Sequence, residues 1–420
     1  MPQNTAIMTF VYNLSVALYL YLIKLSALLE NNKAKLWLNG RKDIFKKIHS
    51  QLQPGEKRIW FHAASLGEFE QGRPVIEKVR ELYPHYKIVL TFFSPSGYEI
   101  RKDYPGADYI FYLPMDSKSN ALEFIDLVQP SFALFIKYEF WYHYIKVLNQ
   151  KQIPLFLISA NFRKDQHFFS WYGKWFRTLL GKFDHIFVQN CRSYDLLKSI
   201  GINQVTIAGD TRFDRVFSIV SAAKTLPAVE TFVENNICLI AGSTWEPDEE
   251  LLVKYINETN HKFKVIIAPH EIKEQSIQSL IQKLNKKAVR YSQLAQLSAE
   301  EADVLIIDNI GMLSSLYRYG KVAYIGGGFG KGIHNILEAA TFRLPVLFGP
   351  NYQKFQEAND LVKLGGAFPI SNYLMLKEKL DDLLENIELR EKAGIVSGDF
   401  VKSNLGATDL IIKKISPPSY

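Results

Sequence analysis

Two cysteines in 420 residues, Cys191 and Cys238, with no CxxC spacing, leave no disulfide framework and no structural zinc site to build on. The histidines stand singly and none falls in an HExxH frame, so a metal-dependent hydrolase lacks its ligand set. No GxGxxG opens a first βαβ unit, and no glycine-rich loop ends in lysine followed by serine or threonine; an NAD or ATP site is weakly supported. Lysines are scattered and aromatics sit inside apolar runs, so there is no basic platform for nucleic acid. A basic leader with a small-residue cleavage site is missing too, which argues against a removed signal peptide.

What is present is an ordinary globular composition, 47% hydrophobic and 22% charged, in a chain too long for a single core. Two domains plus an appendage are expected. The net charge of +7 implies an anionic partner, a membrane surface or a phosphorylated substrate. Residues Ala6 to Ile23 are apolar apart from Thr9, Asn13 and Ser15, a length near the roughly 20 residues a span requires. Lys24, Lys33, Lys35, Arg41, Lys42, Lys46 and Lys47 follow, whereas no lysine or arginine precedes the segment. The positive-inside rule then puts the remaining chain in the cytoplasm, with residues 1–30 an uncleaved membrane anchor. An interfacial helix would satisfy the same hydrophobic signal.

From Lys57 onward short apolar runs alternate with amphipathic stretches. Strands are expected at Ile59–His62, Lys87–Phe93, Tyr109–Tyr112, Phe132–Ile136, Leu155–Ser159, His185–Val188 and Val205–Ala208. Helices fit between them at Arg73–Leu82, Ser119–Val128 and Ser193–Ile200. A looser stretch around Leu226-Pro227 follows, and the pattern restarts at Ile237–Ala241, Lys264–Ala268, Val304–Ile307, Val322–Ile325 and Pro345–Phe348. Strands separated by helices imply parallel sheets. The expected fold is α/β, two Rossmann-like doubly wound domains (31–220 and 221–420) facing across a cleft. Such a cleft suits a reaction that joins two substrates.

Two stretches carry chemistry. Phe61 to Pro74, FHAASLGEFEQGRP, runs from a buried strand through a Ser65-Leu66-Gly67 turn into a helix whose first turn holds Glu68. There Glu68 sits at a strand's carboxyl end, where it can accept a proton beside anion-binding N–H groups. The competing structural explanation is an acidic residue favoured by the helix macrodipole. Val322 to Pro350, VAYIGGGFGKGIHNILEAATFRLPVLFGP, is a strand, a glycine loop and a helix expected to begin near Ile333 or His334. Its amino terminus would offer N–H groups to a phosphate. His334 and Glu338, four apart, would share a helical face, with Glu338 placed for a ribose diol. Ser243 and Thr244 after one strand, and Pro269-His270 after another, add polar strand-end turns.

With these motifs in view the chain resembles the 3-deoxy-D-manno-octulosonic acid (Kdo) transferases of lipopolysaccharide assembly. The resemblance runs from the hydrophobic amino terminus through Gly40-Arg41-Lys42, His62 to Glu68, Tyr138-Glu139-Phe140-Trp141 and Ser159 to Arg163. It continues with Gly209 to Asp214, Gly242-Ser243-Thr244 and His334 to Pro350. It implies a GT-B fold, action at the cytoplasmic face of the inner membrane, and inverting transfer of Kdo from CMP-Kdo to a lipid A precursor without a coordinating metal or other cofactor. By motif, Glu68 is the implied general base, with Glu139 and Arg212 supporting the transition state. Pro269, His270, Ile310, Gly311, Met312, Asn335, Ile336, Leu337 and Glu338 are the implied CMP contacts. Ser243, Thr244, Gly328 and His334 are further donor-side candidates; Ser65, Gly67, Ser96 and Arg163 are acceptor-side ones.

The chain departs from the family pattern at Arg212 (commonly lysine), Ala268 (often arginine), Met312 (often glutamate) and Trp245 (often histidine). A lysine-to-arginine change keeps the charge and alters its geometry. The rival enzyme reading is a GT-B transferase using a UDP-sugar in cell-envelope synthesis. A non-catalytic membrane scaffold is the rival from another class.

Overall fold

Strands buried on both faces need near-continuous apolar sequence, and the chain supplies it twice. In the computed structural model, which describes residues 2–296 and 301–415, the first run gives β1 (Arg58–Ala63), β2 (Lys87–Phe92), β3 (Tyr109–Tyr112), β4 (Pro130–Ile136), β5 (Leu155–Ala160), β6 (His185–Val188) and β7 (Val205–Ile207). They form an all-parallel sheet in the order β3-β2-β1-β4-β5-β6-β7. Successive side chains on a strand point to opposite faces. Accordingly Trp60 and Phe135 enter one core, whereas Ile59, Phe61 and Leu134 enter the other.

The second run gives β8 (Cys238–Thr244), β9 (Lys264–Pro269), β10 (Ala288–Arg290), β11 (Val304–Ile306), β12 (Val322–Ile325), β13 (Val346–Phe348) and β14 (Ala367–Pro369). Their order is β10-β11-β9-β8-β12-β13-β14, again parallel throughout. Two of these strands, β10 and β14, are absent from the expected set. Each has three residues at a sheet edge, too few to show a period.

The chain divides into two compact units. The first runs to Arg215 and resumes at Leu405; the second is Val216–Asn404. The final helix, Ala407–Lys414, therefore belongs with the first unit, where it packs on the helix Leu66–Leu82. Asp214 fastens its start, accepting from Gly406 N and Thr408 N at 2.7 Å each.

The helix Pro2–Leu28 contains a stretch, Ala6–Leu28, long and apolar enough to cross a membrane, one such helix among the described residues. Its residues Met8 and Tyr12 pack on the first unit's core. Ile7, Phe10, Val11, Leu14, Leu18 and Leu22 are exposed.

Candidate active site

In an open α/β sheet, a crevice opens at the carboxyl ends of strands where the winding direction reverses. In the first unit that point lies between β1 and β4, since β2 and β3 build outward from one side of β1 and β4 to β7 from the other. Glu68 follows β1 and Glu139 follows β4, so topology alone brings the two carboxylates into one neighbourhood.

Glu68 lies in the first turn of the helix Leu66–Leu82, and its Oε2 accepts a hydrogen bond from Ala64 N at 2.7 Å. The Ser65 side chain makes no capping bond, and the Glu68 carboxylate reaches back to the residue before this N-cap. Glu68 does stand in the first helical turn, as the macrodipole explanation requires. Burial pushes its pKa up to about 7, and the charge of Glu139 adds to the rise; the Ala64 N–H and Lys137 offset only part of it. A carboxyl poised near neutrality is suited to general base chemistry.

Glu139 is almost fully buried, and its Oε2 lies 2.9 Å from His62 Nε2 and accepts the indole N–H of Trp141. His62 is fully buried in β1. Its Nδ1 stands 2.8 Å from Thr91 Oγ1, which also accepts Trp60 Nε1–H at 2.8 Å. Nδ1 also lies 3.2 Å from Thr91 O, and Trp141 Nε1–H donates toward Nε2 at 3.0 Å, so both ring nitrogens of His62 are engaged. The motif reading treated His62 only as part of a string; its tie to Glu139 rests on the pairing of β1 with β4, which sequence does not show.

Arg212 is held by Asp210, Nε at 2.9 Å and the terminal nitrogen at 2.7 Å from Oδ2. Its neighbour Thr211 donates to Gln71 O on the Glu68 helix and lies 3.0 Å from Ser159 Oγ. Gly67 is exposed, and a Cβ added there would meet no atom within 4 Å, so nothing local requires glycine. Ser96 is exposed beside Ser94, the N-cap of the helix Pro95–Arg101. Arg163 is exposed, with its guanidinium 3.6 Å from Asp165. Arg41, from the Gly40-Arg41-Lys42 motif, donates to the carbonyls of Trp37, Phe93 and Leu113 and acts as a brace.

In the second unit the winding reverses between β8 and β12. The loop after β8 and the glycine loop after β12 approach so closely that a Cβ on Gly326 would sit 2.3 Å from Ser243 O, and one on Gly328 2.6 Å from Gly349. Buried Asp248 joins these loops, accepting from Trp245 N (3.0 Å), Gly327 N (2.9 Å) and Tyr324 OH (2.8 Å). Sequence reasoning passed over Asp248; its place as the third helical residue after Trp245 was the available signal. Thr244 donates to Glu249 at 2.8 Å.

The rings of Trp245, His270 and His334 form a stack, with centroids 4.6 Å apart in the first pair and 4.3 Å in the second. Trp245 Nε1 also donates to His334 Nε2 at 3.0 Å. Burial and the neighbouring His270 lower the pKa of His334, which favours the neutral ring that can accept this bond.

The helix expected from Ile333 or His334 instead begins at Leu337 and ends at Thr341. Gly332 takes a φ of +139°, and Asn335 Oδ1 accepts from Leu337 N at 3.1 Å, so the chain stays irregular through Ile336. His334 and Glu338 therefore do not share a helical face. Glu338 accepts from Asn335 Nδ2 at 3.2 Å instead. On the remaining loop, Ile310 is 91% exposed, Gly311 has a φ of +94°, and Met312 is half-buried. Among the described residues no group of three or more His, Cys, Asp or Glu side chains could hold a metal ion.

Comparison with known proteins fits this geometry. The family model described as 3-deoxy-D-manno-octulosonic-acid transferase (kdotransferase) matches residues 39–215, the span that carries Glu68, Glu139 and Arg212. The 3-deoxy-D-manno-octulosonic acid transferase of Aquifex aeolicus is 28% identical over 82% of this chain and 92% of its own length. The chain is a homologue of the Kdo transferases. The enzyme of the same name from Haemophilus influenzae is 25% identical over 87% of this chain and 88% of its own length. Among solved structures, UDP-GlcNAc 2-epimerase from Neisseria meningitidis, bound to UDP-GlcNAc, shares the fold. Its TM-score is 0.58 at 17% identity, covering 85% of this chain and 98% of that one. This Kdo transferase homologue is thus a glycosyltransferase with the GT-B architecture, two doubly wound parallel sheets in two units.

Proposed function

We propose that the protein transfers Kdo from CMP-Kdo to a lipid A precursor, with inversion at the anomeric carbon, and that Glu68 is the general base. The observation that carries this reading is a half-buried carboxylate at the winding reversal of the first sheet, its proton affinity raised to the neutral range. The acceptor hydroxyl oxygen bonds to the anomeric carbon as the bond from that carbon to the CMP phosphate oxygen breaks. Glu68 takes the hydroxyl proton, and CMP departs with the electron pair. A sugar hydroxyl is a weak nucleophile at pH 7, so a positioned base contributes to the rate.

Glu139 acts on Glu68 through its charge, held in place by His62 and Trp141. Arg212, oriented by Asp210, offsets charge on the departing phosphate. The donor lies at the glycine loop of the second unit, against Pro269, His270, the segment Ile310-Gly311-Met312 and the run Asn335 to Glu338. Gly326 and Gly328 let this loop pack against Ser243 and Gly349, which holds the donor-side run in place. The helix Pro2–Leu28 meets the cytoplasmic face of the inner membrane through its exposed apolar side chains.

The test is transfer of radiolabel from CMP-Kdo to an acylated glucosamine disaccharide by the purified full-length protein. Labelled lipid product is the expected result. Consumption of a UDP-sugar, with no product from CMP-Kdo, would replace this assignment by the UDP-sugar alternative.

A further inference from the structure

One flank of the amino-terminal helix is fastened to the first unit by polar side chains. Thr9 Oγ1 donates to Tyr142 OH at 3.0 Å, Tyr12 OH donates to Asp116, and Asn13 Oδ1 lies 2.7 Å from His143 Nε2. Where Tyr12 meets the segment that follows β5, a cavity of about 420 Å³ opens. Its walls are chiefly aromatic and aliphatic, Tyr12, Tyr138, Phe140, Phe168, Phe176 and Leu179 among them; the polar Asp165, Gln166 and His167 also line it and are engaged with Arg163 and Tyr172. A cavity of this size falls in the range of small-molecule sites. A hydrocarbon chain would bury its surface against the apolar side chains.

Two further observations say which hydrocarbon. Tyr138 at the cavity wall directly precedes Glu139, and two cations flank its ring, Lys137 Nζ 5.5 Å and the Arg163 guanidinium 5.9 Å from the centroid. The segment that supplies Phe168 and Phe176 also carries Trp171, 92% exposed, with Tyr172 beside it, the residue types that settle at a membrane–water interface. One wall residue, Tyr138, thus has two cations against its ring, and the segment that builds another wall carries membrane-seeking side chains.

We infer that this cavity receives an acyl chain of the acceptor lipid while Lys137 and Arg163 meet an anionic group of its head. This rests on the proposed acceptor being acylated and anionic, and it adds the place where specificity for acylation is exerted. The acceptor, rather than a bulk phospholipid, is the occupant because Tyr138 on the cavity wall precedes Glu139 and lies within the electrostatic reach of Glu68.

Photo-cross-linking tests this without requiring turnover. A glucosamine disaccharide bisphosphate with a photoactivatable acyl chain is irradiated with the full-length protein in nanodiscs, and labelled peptides are mapped by mass spectrometry. Labelling within residues 165–179 is expected, competed by the unlabelled acylated disaccharide but not by its deacylated form or by phosphatidylglycerol. Labelling confined to residues 6–28, or equal competition by phosphatidylglycerol, would overturn the assignment. In kinetics, Phe176→Asp should raise KM for the acylated acceptor about tenfold more than for the deacylated one, the scale expected when a few buried methylenes lose contact. Equal losses on the two acceptors would also overturn it. A protein that labels as expected yet releases no CMP from CMP-Kdo would refute the donor assignment and leave the cavity assignment standing.

Discussion

At the carboxyl end of β1 the first unit gathers Glu68, Glu139 and His62; at the corresponding end of β8 the second gathers Trp245, His270, His334 and a run of glycines. Both places are winding reversals of parallel sheets, and there the similarity stops. The first surrounds a carboxylate with partial burial and a second negative charge, so that proton affinity is the property being adjusted. The second brings backbone against backbone and stacks three rings, with a buried aspartate tying the loops. One topology thus provides two positions, and local side chains decide that one raises the proton affinity of a carboxyl and the other presents stacked rings.

The largest test of that contrast is Glu68→Gln. Loss of a general base is expected to slow transfer by about 10² to 10⁴, measured in single turnover with saturating donor. Turnover within a few-fold of wild type would remove Glu68 from the chemistry. The same variant should gain stability. A folded-state pKa raised from 4.5 to about 7 means that ionising Glu68 costs stability, and this cost grows as pH rises through that window. Glutamine cannot ionise and can still accept from Ala64 N. Its advantage in thermal unfolding should be small at pH 5 and reach on the order of 3 kcal/mol by pH 8.

Next in size is a pair of glycine substitutions. Gly328→Ala forces a Cβ to within 2.6 Å of Gly349 backbone, at a cost of about 1–3 kcal/mol in urea unfolding. Gly67→Ala meets open space and should stay within about 0.5 kcal/mol of wild type. Equal costs at the two positions would erase the distinction between a backbone-packed loop and an open turn. The finest test is Glu139→Gln. Removing that charge lowers the pKa of Glu68, so the acidic limb of the kcat/KM profile should move to lower pH. A limb that does not move would mean that Glu139 does not act through Glu68.

Much of the scaffold was legible in the sequence because buried parallel strands leave long apolar runs; β1 and β12 fall within a residue or two of their expected positions. The edge strands β10 and β14 were not legible, since three residues hold no periodicity. The position of Glu68 in a first helical turn was readable from Ser65-Leu66-Gly67-Glu68. The irregular run through Ile336 was not, because a glycine φ of +139° and a side-chain cap by Asn335 override the helical spacing of His334 and Glu338. Asp248 was passed over, and His62 figured only within a motif, for a related reason: each matters through partners 76 to 79 residues away.

By itself the sequence determined the parallel α/β class, the restart of the pattern in a second unit, and the kinds of residue standing at each strand exit, because all three depend on local periodicity and on residue chemistry. Only the tertiary structure decided the strand orders, the meeting of Glu139 with His62, the stacking of Trp245, His270 and His334, and the return of Ala407–Lys414 to the first unit. These are contacts between segments far apart along the chain. Their energies come from desolvation, ring packing and shared hydrogen bonds that exist only once the sheets have formed.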